Sequence, residues 1–191
     1  MWALILALAF AKGPSKGPPA DLGAISRAIP TVLGSPVHSP KSGEVRGDLQ
    51  RFMSRHTYKE EGAGDNKRYV FTGLGLVVEG TPARPRNGCP ATYVATSVTV
   101  RNAQRFRRLP GGIDTSMTWK EAKKHLKKND RKVKKEKDGD IIRLNWNGDW
   151  SDQRRPYGCG AAFIQRSGTL VFGDAGLRRA IYAIDASQSP D

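Results

Sequence analysis

Cysteine, histidine and the cationic side chains are the residue types here whose chemistry could go beyond packing. Cys89 or Cys159 as a thiolate nucleophile, with His56 or His125 as its base, is the one pairing that would suggest covalent catalysis. Such pairs assemble in space, and no local motif joins these residues. His56 reads more simply as a partly exposed histidine at a helix edge. Catalytic residues, metal ligands and cofactors are therefore assigned to none, and an enzyme is the third of three functional classes. Two cysteines are too few for a four-thiolate zinc site or a disulfide-dense scaffold, which leaves one bridge or two free thiols.

The cations are more informative. The chain has 32 Lys and Arg against 18 Asp and Glu, a formal net charge of +14, and so attracts polyanions. Net charge alone does not choose among nucleic acid, acidic polysaccharide and anionic membrane. Arg101, Arg105, Arg107 and Arg108 surround Phe106, either as a polyanion patch with one stacking aromatic or, more simply, as a solvated connector. Lys120, Lys123, Lys124, Lys127 and Lys128 lead into Arg131, Lys132, Lys134, Lys135 and Lys137. This run reads as a solvated, partly disordered face, or as an electrostatic footprint for phosphate or uronate groups in which lysine acts as a point charge.

The elements that must position these residues are unevenly legible. Thr118-Trp119-Lys120-Glu121 fits a capping box, so a helix starts there with Trp119, Ala122 and Leu126 as its apolar stripe. Residues 49–58 suit a short helix with Leu49, Phe52, Met53 and His56 on one side. Strands are expected over 68–79, 91–100 and at Ile142, Leu144 and Trp146, the last entered through a turn at Asp138-Gly139. Gly73-Leu74-Gly75 lacks the third glycine and the helix of a phosphate loop, and reads as a bulge. Residues 157–164 read as a strand, Ser167-Gly168 as a tight turn and residues 169–172 as the returning strand. Asp174 then reads as an N-cap for a helix with Leu177, Ala180, Ile181 and Ile184 at i, i+3, i+4 and i+7. The expected fold class is α+β, a small, mainly antiparallel sheet with two helices in one domain over residues 51–187.

Residues 12–50 read as a disordered tail or pro-segment, rich in Pro, Gly and Ser, with apolar spacing only over 22–33. Residues 2–11 are an unbroken apolar run ending in Ala9-Phe10-Ala11, the small-x-small form of a signal-peptidase site. The run is short and no basic residue precedes it, so residues 1–11 stand between a signal segment and a plain apolar start. It is too short to span a bilayer, which takes about 20 apolar residues.

Asn87-Gly88-Cys89-Pro90 and Tyr157-Gly158-Cys159-Gly160 each place Gly-Cys before a small-residue, aromatic, β-branched strand. If the two cysteines pair, the closed loop of about 70 residues would stabilise the fold by roughly 4 kcal/mol in the chain-entropy model. From Cys89 to about Asp185, three features recur in order. They are a cysteine before Thr92-Tyr93, a segment from Trp146 to Trp150 ahead of Tyr157-Gly158-Cys159 and Ala162-Phe163, and a Gly173-Asp174 entry into the final apolar-spaced helix. In these features the chain resembles the secreted fungal effector family of necrosis-inducing factors. It departs from them in having no cysteine in its central helix and in two residues inserted after Cys159.

The resemblance implies a secreted, disulfide-stabilised α+β protein that acts on host cells or competing microbes by binding rather than catalysis. The alternative is an intracellular nucleic-acid-binding accessory protein, viral for instance, that uses its Lys/Arg-rich surface and needs neither signal nor disulfide.

Overall fold

The computed structural model describes residues 21–33, 48–62, 67–83, 92–129, 131–148 and 163–187. Cys89, Cys159, residues 1–11 and the expected strand start at 157–162 lie outside the described residues.

The first helix, α1 (Leu22–Val32), begins where the Asp21 carboxylate accepts the Ala24 amide at 3.0 Å. Ile25, Ile29 and Val32 recur at helical spacing, and all three are buried in the main core. The Ser26 hydroxyl, also buried, donates to the Arg108 carbonyl at 2.7 Å. The stretch read as a tail thus contributes a core helix, because a short amphipathic stripe of aliphatic residues is enough to dock one. The second helix, α2 (Asp48–Arg55), is the one expected near 49–58, and its Phe52 meets Phe71 edge-on at 5.0 Å.

The strands are β1 (Lys59–Glu61), β2 (Arg68–Phe71), β3 (Leu76–Ala83) and β4 (Thr92–Val100), then the two-residue pair β5 (Arg108–Leu109) and β6 (Ile113–Asp114). After α3 (Trp119–Lys128) come β7 (Lys132–Asp138), β8 (Ile141–Asn147), β9 (Phe163–Gly173) and β10 (Gly176–Ser187). Eight of them form one antiparallel sheet in the order β1-β2-β3-β4-β10-β9-β8-β7, while β5 and β6 pair apart. The α+β class is as expected, with three helices among the described residues and a sheet larger than the three patterned strands and one hairpin suggested. The last strand sits in the middle of the sheet and joins the two halves of the chain.

Period-two alternation fixes which face is buried. One cross-strand row runs Tyr69, Val78, Val98, Tyr182, Gly168, Trp146 and Val133 through seven of the eight strands, from β2 to β7. Together with a parallel row through Leu76, Val100, Ala180, Leu170 and Leu144, it forms the core against the helices.

Three local expectations are corrected. Residues 174–185 are not a helix: Gly173 to Gly176 make a hairpin turn, with Gly176 at φ +96°, and β10 pairs β9 from Gly176↔Gly173 to Ser187↔Phe163. A bulge between Leu177 and Arg179 inserts one residue, so Leu177 and Ala180 face inward together despite an odd separation. That insertion copies an i, i+3 helical spacing. Asp174 is therefore an exposed turn residue and caps nothing.

Ser167-Gly168 is not a turn either, since β9 runs straight through it. Gly168 is there because the Trp146 indole lies over its cross-strand position: a Cβ would sit 2.2 Å from Trp146 Cζ2. Finally, Gly73-Leu74-Gly75 is not a bulge but a 3-10 turn over Thr72–Leu74. Gly75, at φ +69°, closes it and reverses β2 into β3, so residues 68–79, expected as one strand, are two antiparallel strands.

Candidate polyanion-binding surface

Helix α3 carries the densest charge, and its start is built as the sequence implies. The Thr118 amide donates to Glu121 Oε2 at 2.8 Å, and the Glu121 amide donates to Thr118 Oγ1 at 3.3 Å. The Thr118 amide and hydroxyl hold the Glu121 carboxyl below the usual carboxylate range. Ala122 and Leu126 are fully buried and Trp119 packs half-buried against the core, so Lys120, Lys124, Lys127 and Lys128 are left exposed and Lys123 half-buried. Basic residues in the last turn also suit the negative end of the helix dipole.

The far end of α3 is held by a clasp. Gly111 and Gly112 both adopt positive φ, +83° and +72°. The Gly111 carbonyl accepts from Arg131 Nη1 at 3.0 Å and from His125 Nε2 at 3.1 Å. A carbonyl can only accept, so His125 Nε2 is the donor in this contact. From inside the core, the Tyr182 hydroxyl donates to the Pro110 carbonyl at 3.1 Å, and burial pushes its ionisation far up. His125 and Arg131 thus position α3. This was not legible in the sequence, where Pro110-Gly111-Gly112 indicates a turn without naming what its carbonyls will meet.

Strand β7 lies at the sheet edge, fully paired with β8, so the lysine run after α3 is ordered and not a disordered face. Its side chains alternate. Val133 and Lys135 point to the α3 side, whereas Lys132, Lys134 and Glu136 point to the other. The Lys135 ammonium stands 3.9 Å from the centre of the Trp119 ring and that of Lys120 at 5.7 Å. Lys134 instead pairs with Glu136 at 3.1 Å and is the main cause of that carboxyl's lowered pKa. Beside the ring is a shallow, open depression of about 310 Å³ lined by Trp119, Lys120, Lys123, Lys124 and Lys127.

The expected site is thereby divided. Lys120, Lys123, Lys124 and Lys127 share the depression, while Lys135 stands over the Trp119 ring without lining the depression. Lys128 is exposed on the same helix, Lys132 and Lys134 lie on the opposite face of the sheet, and Arg131 belongs to the clasp. Residues 101–108 form a separate connector. Phe106 is 2% exposed and cannot stack on a ligand. Arg105 donates to the Gly73 carbonyl at 3.2 Å, and the Arg101 amide to the Gly75 carbonyl at 2.8 Å. Arg107 and Arg108 stay exposed near Asp114, whose carboxyl is lowered chiefly by the Ser116 hydroxyl.

His56 lies 4.6 Å from the Phe52 ring, and its pKa is lowered first by burial and then by Arg55. Among the described residues no group of three His, Cys, Asp or Glu side chains could hold a metal, and no helix is long and apolar enough to cross a membrane. The chain matches no protein family, no curated protein and no solved structure.

Proposed function

We propose that the protein acts by binding, and that the lysine face of α3, extended by Lys135 of β7, takes the charged backbone of a nucleic acid. The observation that carries this reading is the contact of Lys135 with Trp119, which turns lysines from two elements into one surface. The chemistry on that surface is sequence-independent. Lysine offers point charges, whereas two arginines capable of bidentate recognition, Arg105 and Arg131, are engaged with the protein's own carbonyls.

The test is the salt dependence of affinity for a short RNA, measured for the wild type and for the combined variant Lys123→Gln, Lys124→Gln, Lys127→Gln, Lys128→Gln. The variant should bind more weakly, and its log–log slope should be shallower by roughly 0.7 to 0.9 for each phosphate it no longer neutralises. Unchanged affinity and slope would remove this face from the mechanism.

The resemblance to necrosis-inducing factors supports a second reading, a secreted basic effector whose lysines meet an anionic cell surface. Its support is the order of Cys89, Trp146 and Cys159 and not the closing helix, since residues 173–184 are a β-hairpin. Secreted protein with Cys89 and Cys159 bridged should gain about two daltons on reduction. Equal masses and two alkylatable thiols would count against it.

A further inference from the structure

We infer that the depression beside Trp119 is a base-stacking subsite, so that the nucleic acid this face takes is single-stranded; the inference rests on the binding reading above. Lys120, Lys123, Lys124 and Lys127 fall at i, i+3, i+4 and i+7 on one side of α3 and extend over about 10 Å of helix axis. Their methylene stems and the Trp119 ring make an apolar floor, and their ammonium groups make a charged rim. A ligand carrying charge alone, such as a sulfated chain or inorganic polyphosphate, would use the rim and leave the floor wet. An unpaired nucleotide uses both, its base on the ring and its phosphates on the rim.

The ring is also pre-set. It is packed against the core and has the Lys135 ammonium 3.9 Å from its centre, yet Lys135 is not among the residues lining the depression. The surface that Trp119 gives to the depression is therefore surface that Lys135 leaves free. The depression, about 310 Å³ and open, has room for one flat unit, and a duplex, whose base faces are already stacked, has no free base face to place there. Phe106, the aromatic within the arginine cluster at 101–108, is buried, so that connector offers no stacking surface.

The experiment compares three ligands of equal length: an unstructured single-stranded RNA, its duplex, and a sulfated oligosaccharide of heparin type. Each is measured against the wild type, Trp119→Leu, Trp119→Phe and the lysine-to-glutamine variant, with thermal melting to confirm that each variant folds. Trp119→Leu should weaken single-strand binding by about 5- to 150-fold, the range of one base–aromatic stack. Trp119→Phe should retain most of the affinity, and the duplex and sulfated ligand should change less than about twofold. Equal loss for single strand and duplex in Trp119→Leu, or no loss for either, overturns the subsite and leaves the lysine face standing. A lysine variant that binds all three ligands like the wild type removes the face, and the subsite with it.

Discussion

Helix α3 and strand β10 carry similar apolar spacings and fold oppositely. In α3, Trp119, Ala122 and Leu126 recur at 3 and 4; in β10, Leu177, Ala180, Ile181 and Ile184 do the same. What separates them is the source of their order. α3 is closed by its own residues, through the reciprocal Thr118–Glu121 bonds and a run of good helix formers. β10 is specified from outside, by β9 on one side and β4 on the other, and its largest buried side chain, Tyr182, has no place on the supposed helical face. A periodic pattern alone therefore does not tell a helix from a bulged strand; a cap bonded within the segment does.

The largest expected effect lies where β8 meets β9 beside the central strand β10. Trp146→Ala should cost about 3–5 kcal/mol, read as a lower urea midpoint, because it empties the space over Gly168 and beside Tyr182. Gly168→Ala should cost about 1–3 kcal/mol by overpacking, and much less when Trp146 is already Leu. Additive costs in that double-mutant cycle would show that the indole does not explain the glycine.

The caps give a direct contrast at intermediate size. Thr118→Ala should cost about 1 kcal/mol with the α3 bonds gone, whereas Asp174→Ala should stay within about 0.5 kcal/mol, since that turn residue has no helix to cap. Equal costs at the two positions would restore a helix after residue 174.

The smallest effect is the pH dependence of the α3 cap. Glu121 has a folded pKa below its ordinary value, so its stabilisation is complete above about pH 4.3 and is lost as the pH falls through the lower folded value. The melting-temperature advantage of the wild type over Glu121→Gln should therefore shrink between about pH 5 and pH 3. A constant difference would mean that the reciprocal bond does not depend on the carboxylate.

What the sequence determined by itself was local: the capping box, the helix at 48–55, the Asp138-Gly139 turn and the strand through Ile142, Leu144 and Trp146 all stand, because neighbouring residues supply their bonds or alternation. The lysine face was legible as charge along a helix, but its extent was not. Only tertiary packing decided that Lys135 joins Trp119 while Lys132 and Lys134 turn away, that Arg131 and His125 are spent on the Gly111 carbonyl, and that Phe106 is core. It also drew α1 out of an apparent tail and made residues 176–187 the central strand. The reason is physical: a strand's register, a glycine under an indole and a carbonyl's donors are properties of segments far apart in the chain, and no window along the sequence contains both partners.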